Sequence, residues 1–363
     1  MEMLFWSFCW KTVCWVRFKM LREQAHKRTS GFSFHLELWE CPGAPGSATT
    51  VVGFAYPPSS LSADSAMDEF RVDGHDSQSD ARLMCTLTPD SEPNPVPVYS
   101  ERRTMTLRIC AFNIQSFGDS KLSDEATSEV IVKILDRYDI TLVQEVRDSD
   151  LSAVNKLLEL LNSASKHSYS HVISEPLGRD SYKEMYLFIY RPKKVAVVDQ
   201  LQYPNNKDRF SRPPFIVKFS VLDSEEEELI LVPLHTPPNE AVAEIDSLYD
   251  VHLYIQKKWG TDNVMFLGDF NASCNYVEEK DWSSIRLRTK EGFQWLISDS
   301  VDTTVGKSDC AYDRIVVHGS EMKKWVKPNS AKVFDFQAAF KLSQEEALAV
   351  SDHFPVEVML KFP

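Results

Sequence analysis

Residues 264–271 read Val-Met-Phe-Leu-Gly-Asp-Phe-Asn, an apolar run of four that stops on a glycine and two polar side chains. A run this short and this apolar predicts a strand buried on both faces, which commits the chain to a sheet covered on each side. Gly268 lets the backbone bend where a side chain would crowd it. Asp269 and Asn271, one residue apart, project to the same side of an extended or turning chain. A carboxylate that holds a cation or water, beside an amide that donates to an oxyanion, suits a phosphate whose charge is shared with a metal ion. In isolation Gly-Asp-Phe-Asn is a common turn sequence, so its weight comes from similar junctions elsewhere.

Such junctions recur. Residues 107–112 predict a strand ending at Asn113, and 140–143 a strand running into Gln144, Glu145 and Arg147. Residues 229–234 end at His235, and the last strand, 356–360, follows Ser351-Asp352-His353. Between them lie helical patterns. One is capped by Ser123 or Asp124 and carries Val130, Ile131, Ile134, Leu135 and Tyr138 on one face; the next carries Leu151, Val154, Leu157, Leu158 and Leu161. A long helix shows Ala241, Val242, Ile245, Leu248, Tyr249 and His252, and a short one covers 345–349. Further strands are expected at 169–173, 215–221 and 314–317, with 185–190 and 195–200 as a hairpin around Arg191-Pro192. Residues 215–221 pair with 229–234 through the acidic turn 223–228, and 175–184 is a polar loop carrying Arg179, Tyr182 and Glu184. Helix and strand alternating in each half predict an α/β architecture of sheets packed face to face with helices outside, and polar residues gathered at one sheet edge as a site.

The net charge is −13, of which residues 1–106 supply −3 from 10 Lys+Arg against 13 Asp+Glu. The remaining −10 on residues 107–363 excludes a diffuse basic coat for nucleic acid. Any polyanion must be held by a few placed cations and a bound metal. No apolar run approaches the roughly 20 residues of a spanning helix. Residues 1–18 are aromatic-rich, but Glu2 and Lys11 break the pattern of a secretion signal. Residues 19–104 show no sustained period and are rich in Pro and Ser clusters. Residues 1–106 are therefore expected to be a poorly ordered extension, either an alternative or incorrectly assigned start or a partner-binding segment, ahead of a folded domain at 107–363. Seven cysteines without a CxxC pair argue against a zinc ribbon.

His235 and His353 occupy similar positions in two half-chains, as an acid and a base on opposite sides of one reacting phosphorus would. Each needs a carboxylate at its second nitrogen, and Glu184 and Asp313 are the candidates. Glu145 suits Mg²⁺, its alternative being a solvent-facing acid paired with Arg147. Arg147, Arg179 and Arg212 are assigned to phosphates. His252 and His318 are read as hydrogen-bonded structural histidines.

Six segments together resemble the deoxyribonuclease I family. They begin at Ala111 (AFNIQSFG), Leu142 (LVQEVRD), Ser174 (SEPLGRDSYKE), Gly268 (GDFNA), Asp309 (DCAYDRIV) and Ser351 (SDHFPVE), in order across residues 107–362. The resemblance implies a four-layer α/β/β/α sandwich of two mixed sheets. It implies an endonuclease dependent on Mg²⁺ or Mn²⁺ that cuts DNA to 5′-phosphate ends with little sequence specificity. Its catalytic set falls on Glu184 with His235 and Asp313 with His353, and its metal and phosphate residues on Asn113, Glu145, Asp269, Asn271 and Asp352. Minor-groove and backbone contacts fall on Arg147, Tyr182, Arg212 and Tyr312, and a disulfide on Cys274 and Cys310.

A structural Ca²⁺ site matches Asp302 and Thr304, with Gly306 where a threonine can occur. A second Ca²⁺ site is weakened by Pro213 in place of glutamate. The shorter loop 204–210 lacks the family's small second disulfide. Gln115 replaces an arginine, and Lys307 offers a substitute cation. His171 and Phe215 alter the actin-contacting strand, so weak or no actin binding is expected. The sequon at Asn271 is expected to stay unmodified, because a sugar there would block the site. The resemblance also implies a secreted monomer, a cytoplasmic form being the alternative. The rival functions are a phosphodiesterase acting on a lipid headgroup or sugar, and a non-catalytic DNA- or protein-binding module.

Overall fold

The computed structural model describes residues 105–222, 224 and 227–362, together with the backbone of four strands nearer the amino terminus. The chain divides into two units, Met1–Pro95 and Val96–Pro363. In the first, β1 (Glu2–Cys9), β2 (Thr12–Leu21), β3 (Phe32–Trp39) and β4 (Thr50–Ala55) form an antiparallel sheet in that order. Cys9 and Cys14 fall here, and the side chains of these strands, like Cys41 and Cys85, lie outside the described residues.

The second unit holds β5 (Thr106–Phe117), β6 (Ile140–Val146), β7 (Ser170–Ile173), β8 (Met185–Tyr190), β9 (Val195–Gln202), β10 (Phe215–Val221), β11 (Glu228–Pro233), β12 (Val264–Asp269), β13 (Gln294–Trp295), β14 (Asp313–His318), β15 (Lys332–Val333) and β16 (Val356–Lys361). They form two six-stranded sheets, in the orders β15-β16-β5-β6-β8-β7 and β13-β14-β12-β11-β10-β9. Each sheet has a parallel pair at its centre, β5 with β6 and β11 with β12, flanked by antiparallel neighbours. An antiparallel neighbour starts where the strand beside it ends. The carboxyl ends of the central strands therefore share an edge with the amino ends of β8, β14 and β16. Asn113, Glu145, His235 and Asp269 come from the first kind of end, and Glu184, Asp313 and His353 from the second.

The central strands are apolar on both faces because both faces are covered. Cys110 and Phe112 of β5 pack under the helices, while Leu107, Ile109 and Ala111 face the other sheet. In β12, Val264 and Phe266 turn to the long helix Ala241–Trp259, and Met265 and Leu267 to the intersheet core. Helices Glu125–Leu135, Ser152–Ala164 and Gln344–Val350 cover the outer face of the first sheet. The result is the expected α/β/β/α sandwich of two mixed sheets. Among the described residues no helix is long and apolar enough to cross a membrane.

The structure corrects four local expectations. Strands 185–190 and 195–200 are not a hairpin: β8 pairs with β6 and β7, while β9 lies at the edge of the other sheet beside β10. β8 is buried along both faces and needs a neighbour on each side, whereas β9 is largely exposed, as an edge strand is. The turn at Arg191 changes sheets, held by the Arg191 guanidinium on Asp139 at 2.9 Å. Secondly, β5 continues past Asn113 to Phe117 through an irregularity that puts Ser116 at φ 50°. Residues 119–123 of the expected loop form a short helix. Finally, Asp124 alone caps Glu125–Leu135, accepting from the Thr127 N–H at 2.7 Å.

Gly268 has φ 129°, and a Cβ there would lie 2.3 Å from the Leu234 carbonyl oxygen and 2.7 Å from the Gln144 amide nitrogen. Backbone and a buried amide leave no room to yield. Gly268→Ala should lower stability by roughly 2 kcal/mol or more, from the unfavourable φ and the clash together. Urea unfolding midpoints measure it, and an unchanged midpoint contradicts the packing described.

Candidate active site

Two buried polar side chains tie the seam between the sheets. Gln144, at the end of β6, donates from Nε2 to the Leu234 carbonyl at 2.7 Å and accepts at Oε1 from the Asp269 N–H at 2.9 Å. It thereby fastens one central strand of the first sheet to both central strands of the second. Ser351 donates to the Asn113 carbonyl at 2.6 Å and accepts from the His353 N–H at 3.1 Å. Neither residue is exposed.

Asp269 stands between two imidazoles. Its Oδ2 is 3.6 Å from His235 Nε2 and 3.7 Å from His353 Nε2. Behind each ring sits its own carboxylate: Glu184 Oε2 is 2.8 Å from His235 Nδ1, and Asp313 Oδ2 is 2.8 Å from His353 Nδ1. A carboxylate at Nδ1 orients the ring and leaves Nε2 facing the centre. Thr303 donates to Asp313 Oδ2 at 2.8 Å. Arg212 donates to the His235 carbonyl at 3.0 Å and lies 3.3 Å from Glu184. Tyr186 accepts from the His235 N–H at 2.9 Å.

Burial works against the charge on Glu184, but His235 and Arg212 outweigh it and hold its carboxyl down at about 2. Burial also opposes charging His353, and there the carboxylates of Asp313 and Asp269 prevail, raising the imidazolium well above its usual range.

The remaining face is made of oxygen. Asn113 Nδ2 donates to Glu145 Oε1 at 3.0 Å and to Asp269 Oδ2 at 3.3 Å. Glu145 adopts φ 59° where the β6 ladder slips, and its Oε2 accepts from the Ser116 N–H at 2.8 Å. The buried oxygens Asn113 Oδ1, Asp313 Oδ1 and Asp352 Oδ1 have no hydrogen-bond partner. Clustered carboxylates with unpartnered oxygens fit a hard dication such as Mg²⁺ or Mn²⁺. Asn271, at φ 46°, donates from its backbone N–H to Asp269 Oδ1 at 2.9 Å and from Nδ2 to the Thr236 carbonyl at 2.9 Å. Its amide is thus engaged and buried.

Around the rim, Arg147 stacks its guanidinium 4.4 Å from the Tyr182 ring centre. Burial and a hydrogen bond to Glu184 push the Tyr182 hydroxyl to about 12. Tyr312 lies 6.3 Å from the His353 ring and stacks on Tyr276 at 5.3 Å. The Cys274–Cys310 disulfide is formed and closes the loop that carries Tyr276. Arg179 is drawn elsewhere, bound by Asp208, Ser211 and Glu240. Asp302 Oδ1 accepts from the Thr304 N–H, the Thr304 hydroxyl and the Cys310 N–H, so this carboxylate oxygen already braces its own loop. His252 and His318 lie at the other end of β14. Burial, with His318 beside it, lowers His252 to about 4.

Reading the sequence misses the tie made by Gln144, the stacked Tyr276, and Glu244. Glu244 is fully buried on the apolar face of Ala241–Trp259, and its Oε1 accepts from the Ser211 N–H at 2.7 Å. A charged residue in phase with Ala241 and Leu248 was the available signal.

Two packed mixed sheets with a carboxylate-backed pair of histidines at one edge define a hydrolase of phosphate esters. The chain belongs to the endonuclease/exonuclease/phosphatase family, whose pattern it matches over residues 110–353, and within it to the deoxyribonuclease I group. It is 58% identical over 279 residues to Deoxyribonuclease-1-like 2 of Homo sapiens, a match covering 71% of this chain and 93% of that protein. It is 55% identical over 262 residues to Deoxyribonuclease-1 of Sus scrofa, covering 71% and 92%. Among solved structures, humanized D. rerio TDP2 superposes with a TM-score of 0.50 at 17% identity, over 70% of this chain and 98% of that one, a likeness of fold.

Burial raises the Glu244 carboxyl to about 7. Between its unfolded value near 4.5 and about 7 the folded chain keeps a proton that the unfolded chain has released, so stability falls as pH rises through that window. Glu244→Gln keeps the acceptor for Ser211 and removes the titration. Relative to the variant, the wild type should lose on the order of 3 kcal/mol between pH 4.5 and 7.5 in urea unfolding. Parallel profiles overturn this.

Proposed function

We propose that this chain is a divalent-metal-dependent endonuclease that hydrolyses DNA phosphodiester bonds with little sequence preference, leaving 5′-phosphate ends. The observation that carries the reading is the pair of imidazole Nε2 atoms, 3.6 and 3.7 Å from one Asp269 oxygen, each with its own carboxylate behind it. That arrangement offers a base and an acid to opposite sides of a phosphate. One imidazole takes a proton from water as the water oxygen bonds to phosphorus. The other gives a proton to the 3′ oxygen as the P–O3′ bond breaks. Glu184 and Asp313 hold the rings in the tautomer that points Nε2 inward. Asn113, Glu145 and Asp269, with Asp352 nearby, would hold Mg²⁺ or Mn²⁺, which offsets the phosphate's negative charge when bound.

The stacked Arg147 and Tyr182 on one flank, and Tyr312 on Tyr276 on the other, support contact with the sugar-phosphate backbone and minor groove. Arg212 supports the reading mainly by holding Glu184 and His235, and Arg179 by fastening its loop. A Ca²⁺ at Asp302 and Thr304 would reinforce a loop that is already braced. The relatives' name, deoxyribonuclease, agrees with DNA as substrate. The disulfide fits an oxidising compartment and hence secretion. We further propose a monomer with weak or no actin binding. His171 sits on edge strand β7, and Phe215 is buried in the intersheet core.

His235→Ala and His353→Ala should each lower plasmid nicking by roughly 10²-fold or more, and excess EDTA should abolish it. Nicking retained by either variant, or in EDTA, rejects the mechanism. Arg147→Ala should raise KM for duplex DNA several-fold with a smaller change in kcat. Equal loss on a lipid-headgroup diester would instead argue against a DNA contact.

A further inference from the structure

The antiparallel pair β12–β14 carries Asp269 opposite Asp313 at one end and Val264 opposite His318 at the other. Five residues of strand separate the two ends by about 17 Å. At the far end, one ring nitrogen each from His252 and His318 and a carboxylate oxygen of Asp262 lie within 4.8 Å of one another. His252 projects from the second half of helix Ala241–Trp259, Asp262 from the loop after it, and His318 from the end of β14.

His252 is only 4% exposed, and one of its ring nitrogens has no hydrogen-bond partner. Nδ1 is buried without a partner, and Nε2 is 3.7 Å from Asp262 Oδ1, beyond hydrogen-bond length. A buried ring nitrogen without a partner is costly, and an apolar side chain would serve packing better. His318 is held by the contact of its Nδ1 with the Asp262 carbonyl oxygen at 3.0 Å, and its ring lies 4.3 Å from that of His252. Phe293 walls the cluster, 5.4 Å from His252 and 4.5 Å from His318.

We propose that His252, Asp262 and His318 bind a transition-metal dication of the zinc class, at a site separate from the hydrolytic centre. Two imidazoles and a carboxylate are the donor set that such ions favour over Mg²⁺, with water completing a tetrahedron. Donors around a tetrahedral ion stand about 3.3 Å apart, so the cluster closes by roughly an ångström on binding. Asp262, on an exposed loop, supplies that movement. The bound ion cross-links the long helix to β14 and stabilises the second sheet from the end remote from the chemistry.

The test uses the full chain, stripped with chelator and titrated with Co²⁺ in millimolar Mg²⁺, which competes for the oxygen-rich centre. Visible ligand-field bands and equilibrium dialysis count the ions. The wild type should bind one Co²⁺ more per chain than His318→Ala, or bind it at least tenfold more tightly, with Asp262→Asn intermediate. Zn²⁺ should raise the Tm of the wild type and not that of His318→Ala. Nicking with Mg²⁺ should be equal in all three proteins, which shows that the variants are folded. Should His318→Ala destabilise the chain, His252→Phe, which fills the space beside Phe293, replaces it. Equal stoichiometry and affinity in wild type and variants, or a Zn²⁺-induced Tm rise that survives the substitutions, overturns the site.

Discussion

One buried amide carries the geometry of the site across the boundary between the two sheets. Apolar packing between sheets has no direction of its own, and a small slip costs little while the same area stays buried. Gln144 removes that freedom, because its two hydrogen bonds can be made to Leu234 and Asp269 together in one relative position of β6, β11 and β12. Gly268 is part of the same device, since any side chain there would displace the amide. Ser351 repeats the tie between β5 and the segment that carries His353. A fully satisfied buried polar network is costly to disturb and specifies one arrangement.

The electrostatics follow from that placement. Glu145, Glu184, Asp269, Asp313 and Asp352 crowd one sheet edge, and the chain as a whole is acidic. His353 and Arg212 answer part of this charge, and Arg212 is used up on Glu184. What remains is a negative, oxygen-lined sheet edge, which is the physical ground for the dication in the proposed function. The net charge of the sequence agrees with that proposal.

Much of the fold was legible because strand and helix periods are local. The buried strands at 107–112, 140–143 and 264–267, and the helices after Asp124 and Leu151, appear close to where their apolar spacing places them. The expected pairing of 185–190 with 195–200 failed, although both are strands, because a tight turn between two strands says nothing about which sheet has an open edge. The ion pairs of Arg179 were illegible for a similar reason: its partners Asp208 and Glu240 are 29 and 61 residues away in sequence.

By itself the sequence determined the chemistry at each strand end: which junctions carry an imidazole, a carboxylate or an amide, and which runs must be buried on both faces. Those properties depend on residue type and on neighbours within a few positions. The resemblance had already set Glu184 with His235 and Asp313 with His353; only the tertiary structure decided that both rings face one oxygen of Asp269 and that Gln144 locks the seam. It also decided that His252 and His318 meet at the opposite end. Such partnerships span tens to hundreds of residues, and they exist only once the sheets have chosen their neighbours by burying the apolar faces that the local pattern can mark but cannot match.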